Sequence, residues 1–161
     1  MTIFVLLLLT NSLLAQPSPN NQLKIESDSI WVEYALPEFM VNVTPEDYGS
    51  PHFFRYDFES SDKKVVITIL VNNSSNFPFE LKEAYEWEIK RKDIQITYKK
   101  IKRDFYSISG TIVNNRAFYQ FCTVKGGYGY TYTIEYDQVY IDYFKAMIPE
   151  IVEKFKVLFR G

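Results

Sequence analysis

At 161 residues, with 47% hydrophobic content and a formal net charge of -2, the chain fits one domain with one real core. It lacks the basic excess that a nucleic-acid binder usually carries. One cysteine, Cys122, excludes an intramolecular disulfide, and one histidine, His52, excludes a multi-histidine metal site or a two-histidine acid/base pair.

The chain opens on an apolar run from Ile3 to Leu9, interrupted at Asn11 and Ser12, with Leu13-Leu-Ala15 before Gln16-Pro-Ser-Pro19. That run is shorter than the about 20 residues a spanning helix needs. Residues 1–15 therefore read as a signal peptide cut after Ala15, with a retained N-terminal anchor as the alternative. The expected mature protein is exported, periplasmic or extracellular, and has no stable membrane anchor. The first basic residue is Lys24 and the first arginine Arg55, which excludes a twin-arginine signal and argues against an Arg-rich transit peptide. Residues 16–29 are polar and turn-rich and read as a flexible lead, so the single domain is expected over residues 30–161.

Trp31 to Tyr34 and Phe39 to Val43 flank Pro37 and predict two short strands, ended by the turn signals Thr44-Pro45 and Tyr48-Gly-Ser-Pro51. Phe53 to Phe58 and Val65 to Val71 predict a hairpin around Glu59 to Lys63. Within it Val65, Ile67, Ile69 and Val71 fall on one face and Val66 and Leu70 on the other, as in a strand covered on both sides. Pro78 suits the first turn of a helix from Phe79 to Lys92, which the four-apart pairs Glu86/Lys90 and Glu88/Lys92 support.

Four strands then follow with only turns between them: Ile94 to Ile101, Phe105 to Ile112, Ala117 to Val124 and Tyr130 to Tyr136. A closing amphipathic helix carries Ile148, Ile151, Val152, Phe155, Leu158 and Phe159 on one side. Pro149 is expected in its first turn, and Ile141 to Met147 as a preceding turn or kinked segment.

Ile96-Thr-Tyr98, the basic turn Lys99 to Arg103, the strand Phe105 to Gly110, Phe118-Tyr119, Thr133-Ile-Glu-Tyr136 and the helix Ile148 to Val157 together resemble the PsbP-like superfamily. Its members are related in fold to the extrinsic protein of photosystem II and to a small Ran-GTPase-binding protein. The resemblance covers the C-terminal half. It implies an α/β (α+β) domain, an antiparallel sheet flanked by helices, and a non-enzymatic binding or accessory protein with a protein partner. Its motifs are packing motifs and carry over no catalytic residue, cofactor or metal. An enzyme with an unrecognised site and a cell-envelope structural protein are the alternatives.

Read by the two-residue strand period, Gln95, Thr97 and Lys99, then Ser107, Ser109 and Thr111, then Thr131, Thr133 and Glu135, fall opposite the Ile94, Ile108 and Ile134 face. A shared hydroxyl-rich side is expected, either exposed to water or, with Thr97, Ser107, Ser109, Thr131, Thr133 and Glu135, a docking surface for a sugar, peptide or protein.

Other chemistry is thin. A Cys122–His52 nucleophilic pair is formally available, but Cys122 lies mid-strand in an aromatic run, where it acts as a small core hydrophobe. Ser107 and Ser109 precede Gly110 without a nucleophile elbow around them. Gly126-Gly-Tyr-Gly129 lacks phosphate-loop spacing and reads as a hairpin turn. Seven of the eighteen basic residues fall between Lys90 and Arg103, either a patch for an anionic ligand or a solvated helix end and turn.

Overall fold

The computed structural model describes residues 21–25, 30–45, 49–50, 53–73 and 80–159. The proposed signal peptide, His52 and Pro78 lie outside these residues. In chain order they form β1 (Asn21–Ile25), β2 (Ile30–Tyr34), β3 (Met40–Asn42), β4 (Gly49–Ser50), β5 (Phe53–Ser60), β6 (Val65–Asn73) and α1 (Leu81–Glu88). There follow β7 (Ile94–Ile101), β8 (Phe105–Ile112), β9 (Ala117–Lys125), β10 (Tyr128–Tyr136), a 3-10 turn (Gln138–Tyr140), α2 (Ile141–Lys154) and β11 (Lys156–Phe159).

Two antiparallel sheets result. The larger has eight strands in the order β3-β5-β6-β10-β9-β8-β7, with β4 also on β5, and the smaller is β1-β2-β11. Turn chemistry sets the hairpins of the large sheet. Gly126 and Gly127 join β9 to β10 with φ of 62° and 84°, the left-handed pair that a two-residue hairpin requires. The β8–β9 turn places Asn114 and Asn115 in the same region, where a short amide side chain is tolerated.

One face of the large sheet carries the main core. Val65, Ile67, Ile69 and Val71 of β6 and Tyr130, Tyr132, Ile134 and Tyr136 of β10 are all buried there. They pack against Phe144, Met147 and Ile151 of α2 and against Val32 and Val157 of the small sheet. The Tyr132 phenol donates a 2.7 Å hydrogen bond to the Ala35 carbonyl, so this deeply placed hydroxyl is satisfied. On the opposite face α1 seals a second core, in which Leu81 meets Tyr106, Ile108, Phe118 and Cys122. Val66 and Leu70 are only half-buried, so the central strand is fully covered on one side alone.

Several strands run one or two residues longer than read, and three segments differ in kind or extent. Asn21–Ile25, inside the expected flexible lead, pairs with β2 in register from Asn21↔Tyr34 to Ile25↔Ile30. The first helix occupies Leu81–Glu88 rather than Phe79 to Lys92. Glu86 does approach Lys90 at 3.8 Å, but Glu88 pairs with Arg91 at 3.1 Å instead of with Lys92, because the backbone has left the helix by then.

The closing helix also starts earlier and stops sooner. It spans Ile141–Lys154, so Pro149 sits inside it rather than in its first turn, where proline removes one i→i−4 hydrogen bond. Phe155 is extended, with ψ of 103°, and Lys156–Phe159 pairs with β2 as a strand. The apolar residues 157–159, placed on the helix by period, thus belong to the small sheet.

Candidate functional site

Register decides which hydroxyls meet. In the large sheet Ser109 stands beside Tyr119, and Tyr119 beside Ile134. Ile108 stands beside Gln120, and Gln120 beside Thr133. Ser107, Ser109 and Thr111 therefore lie on the α2 face, while Thr131, Thr133 and Glu135 lie on the α1 face. The expected common face of Thr97, Ser107, Ser109, Thr131, Thr133 and Glu135 does not exist. Of the isoleucines that served as its marker, Ile94 and Ile108 pack on the α1 side and Ile134 in the main core on the other.

The α1-face group sits in ordinary sheet polarity. Thr133 is level with Thr68, and Thr68 with Asp57. The Thr68 hydroxyl donates to Asp57 at 2.7 Å, and Arg55 meets the same carboxylate at 2.8 Å. Glu135 lies 3.8 Å from the Arg116 guanidinium. These contacts occupy Asp57, Thr68 and Glu135 with neighbours of the same sheet.

The α2-face group borders a groove. Phe144, Met147 and Ile151 of α2 pack with core residues of β6 and β10 and with Ala117 of β9, and on the outer flank of the helix Ile148, Pro149 and Val152 border a groove toward β8 and β7. The groove encloses about 700 Å³ between Ile148, Pro149 and Val152 of α2 and Phe105, Ser107, Tyr119 and Phe121 of β8 and β9. Tyr98 and Lys100 of β7 form its outer wall. A smaller continuation of about 320 Å³, reached past Tyr119 and Ile148, brings in Thr97, Ser109 and Lys145.

The floor is aromatic and ordered. Phe105 and Phe121 lie 5.5 Å apart, and Phe121 meets Phe155 edge-on at 6.1 Å. Burial pushes the Tyr119 phenol up, and a hydrogen bond with Ser107 opposes that shift. The Lys100 ammonium stands 5.8 Å from the Phe105 ring centroid, within the range of a cation–π contact. Tyr98 is 46% exposed, so the outer wall can touch an incoming molecule. The groove offers apolar and aromatic surface, a few hydroxyls and a cation at its mouth. Apolar surface with a few polar groups is the general composition of ligand pockets.

Of the residues singled out from sequence, Thr97, Ser107 and Ser109 border this groove. Phe105, Tyr119, Phe121, Ile148 and Val152 were legible only as core or strand residues. Nothing in the sequence distinguishes an aromatic side chain under a helix from one just beyond the helix flank.

Cys122 is fully buried in the α1-side core. Burial pushes its thiol up to about 11, against hydrogen bonds from Thr131 and Tyr106, so at neutral pH it stays protonated and weakly nucleophilic. Among the described residues no cluster of three or more His, Cys, Asp or Glu side chains could hold a metal ion. Among them, too, no helix is long and apolar enough to cross a membrane.

No family model matches the chain, and no curated protein matches it. Among solved structures it is similar to the solution structure of cyanobacterial PsbP (CyanoP) from Synechocystis sp. PCC 6803, with a TM-score of 0.57. That match covers 83% of this chain and 95% of the other at 13% sequence identity. The fold is PsbP-like: a mostly antiparallel sheet flanked by helices, with an amphipathic helix near the C-terminus.

Proposed function

We propose that this protein is an exported, non-enzymatic binding or accessory protein that takes a protein partner in the groove between α2 and strands β7 to β9. The observation that carries the reading is the groove itself, a space of about 700 Å³ beside a helix flank, lined mainly by aromatic and aliphatic side chains. Aromatic surface with a polar rim is the composition at which protein side chains anchor. The resemblance of the C-terminal half to a superfamily of largely non-catalytic fold relatives points the same way.

Filling the groove tests the reading. Val152 lies half-buried on the α2 wall, so Val152→Trp should block the space without disturbing the central core. Capture of the partner from native extract should fall at least about tenfold, with the circular-dichroism spectrum and melting temperature retained. Undiminished capture by a folded Val152→Trp variant would reject the groove as the site.

Export rests on the short apolar run and the small residue Ala15. Intact-mass measurement of protein isolated from its native source should give a chain beginning at Gln16. A mass that includes Met1 on a cytosolic protein overturns this.

A further inference from the structure

We infer that the free edge of β7 receives an extended, acidic segment of the partner as an added antiparallel strand, and that an apolar side chain of this segment enters the adjoining groove. The inference rests on the groove reading above and names what occupies it.

The two ends of the large sheet differ. One ends in β3 and β4, of three and two residues, too short to template pairing. The other ends in β7, which has eight residues and pairs only with β8 among the described residues. An edge strand of this length presents a row of backbone donors and acceptors. A bulge between Ile96 and Tyr98 bends the strand, which leaves Tyr98–Ile101 as the stretch open to a partner.

Charge selects the partner. Adjacent strand residues point to opposite faces, so Lys100, level with Ser107, stands on the groove side and Lys99, level with Ile108, on the other. The edge is positive on both faces. Lys102 and Arg103 extend this charge into the following turn, and all four side chains are exposed. None of the four has an ion-pair partner among the described residues. A second copy of this chain would set these cations against their own kind, whereas carboxylates opposite Lys99 and Lys100 are stabilised across the strand pair.

Spacing fixes the pattern of the incoming strand. Read antiparallel, its residues facing Lys100, Lys99 and Tyr98 are consecutive. The first two should be acidic, and the third, on the groove side beside the exposed Tyr98 ring, apolar or aromatic. Its side chain then lies on the groove side, level with Ser109 and Tyr119.

A fluorescein-labelled peptide of about eight residues, with two glutamates followed by phenylalanine at its centre and threonine and valine around them, supplies the probe. Fluorescence anisotropy with the full mature chain should show saturable binding. The double variant Lys99→Glu with Lys100→Glu should weaken it at least about tenfold. A peptide N-methylated at alternate amides, unable to pair along one edge, should not bind. Three results overturn the inference: no binding of the parent peptide, equal binding to the charge-reversed variant, or equal binding of the methylated peptide. If any of these occurs while partner capture remains sensitive to Val152→Trp, strand addition fails and the groove reading stands. If capture is also insensitive, both fail.

Discussion

Replacing Phe155 by alanine is expected to cost about 3 to 5 kcal/mol, the range for emptying a buried aromatic position. Phe155 is only 6% exposed and stands where α2 ends and β11 begins. Its ring meets Tyr132 edge-on at 5.4 Å and Phe121 at 6.1 Å, geometries that add to simple area burial. Its N–H still donates to the Ile151 carbonyl at 3.0 Å, so the residue closes the helix and starts the strand at once. Alanine would leave a cavity beneath that joint and loosen both α2 and the β2–β11 pairing. Urea denaturation should show a lower midpoint with an unchanged slope, and Phe155→Leu should recover much of the loss. A change below about 0.5 kcal/mol, the scale of surface substitutions, would show that the joint is not packed as described.

Gly110→Ala is expected to be nearly as damaging, through crowding rather than loss. A Cβ at Gly110 would lie 1.9 Å from the Gln95 carbonyl oxygen and 3.0 Å from the Ile96 Cα. Both are backbone atoms of β7 beside its bulge, and no side-chain rotation can relieve the overlap. The strand itself must shift. Overpacking of this kind costs about 1 to 3 kcal/mol and occasionally more, and with only backbone to yield the upper end applies. Hydrogen exchange should show β7 losing protection before β9 and β10 do, and because β7 carries Tyr98 and Lys100, partner capture should fall with it. Gly127 provides the contrast. A Cβ there would meet nothing within 4 Å, so Gly127→Ala should cost only the strain of its φ of +84°, about 1 to 2 kcal/mol. Equal stability of the Gly110→Ala variant and the wild type would mean that β7 does not approach β8 this closely.

Elements whose signals are local were legible from the residues alone. β7 and β8 run over Ile94–Ile101 and Phe105–Ile112 as read, because the two-residue period and the flanking turn residues both lie within a few positions. The Gly126-Gly127 turn, the burial of Cys122 and the alternating core face of β6 were legible for the same reason. Residues 157–159 were not, since a short apolar run fits a helix or a strand equally well, and only the pairing of Val157 with Val32 decides between them.

The site was legible in part. Thr97, Ser107 and Ser109 were visible as strand hydroxyls, but a strand's period says only which of its own residues share a face. The phase between strands is set by register, and a shift of one residue moves every side chain to the other side. That nonlocal fact separated Ser107 and Ser109 from Thr131 and Thr133. The groove depends on a longer-range one still, the place where the outer flank of α2 ends. Ile148 and Val152 come to face Phe105, Tyr119 and Phe121 only because the helix packs on the core of β6 and β10 and leaves Tyr98 and Lys100 of the edge strand exposed.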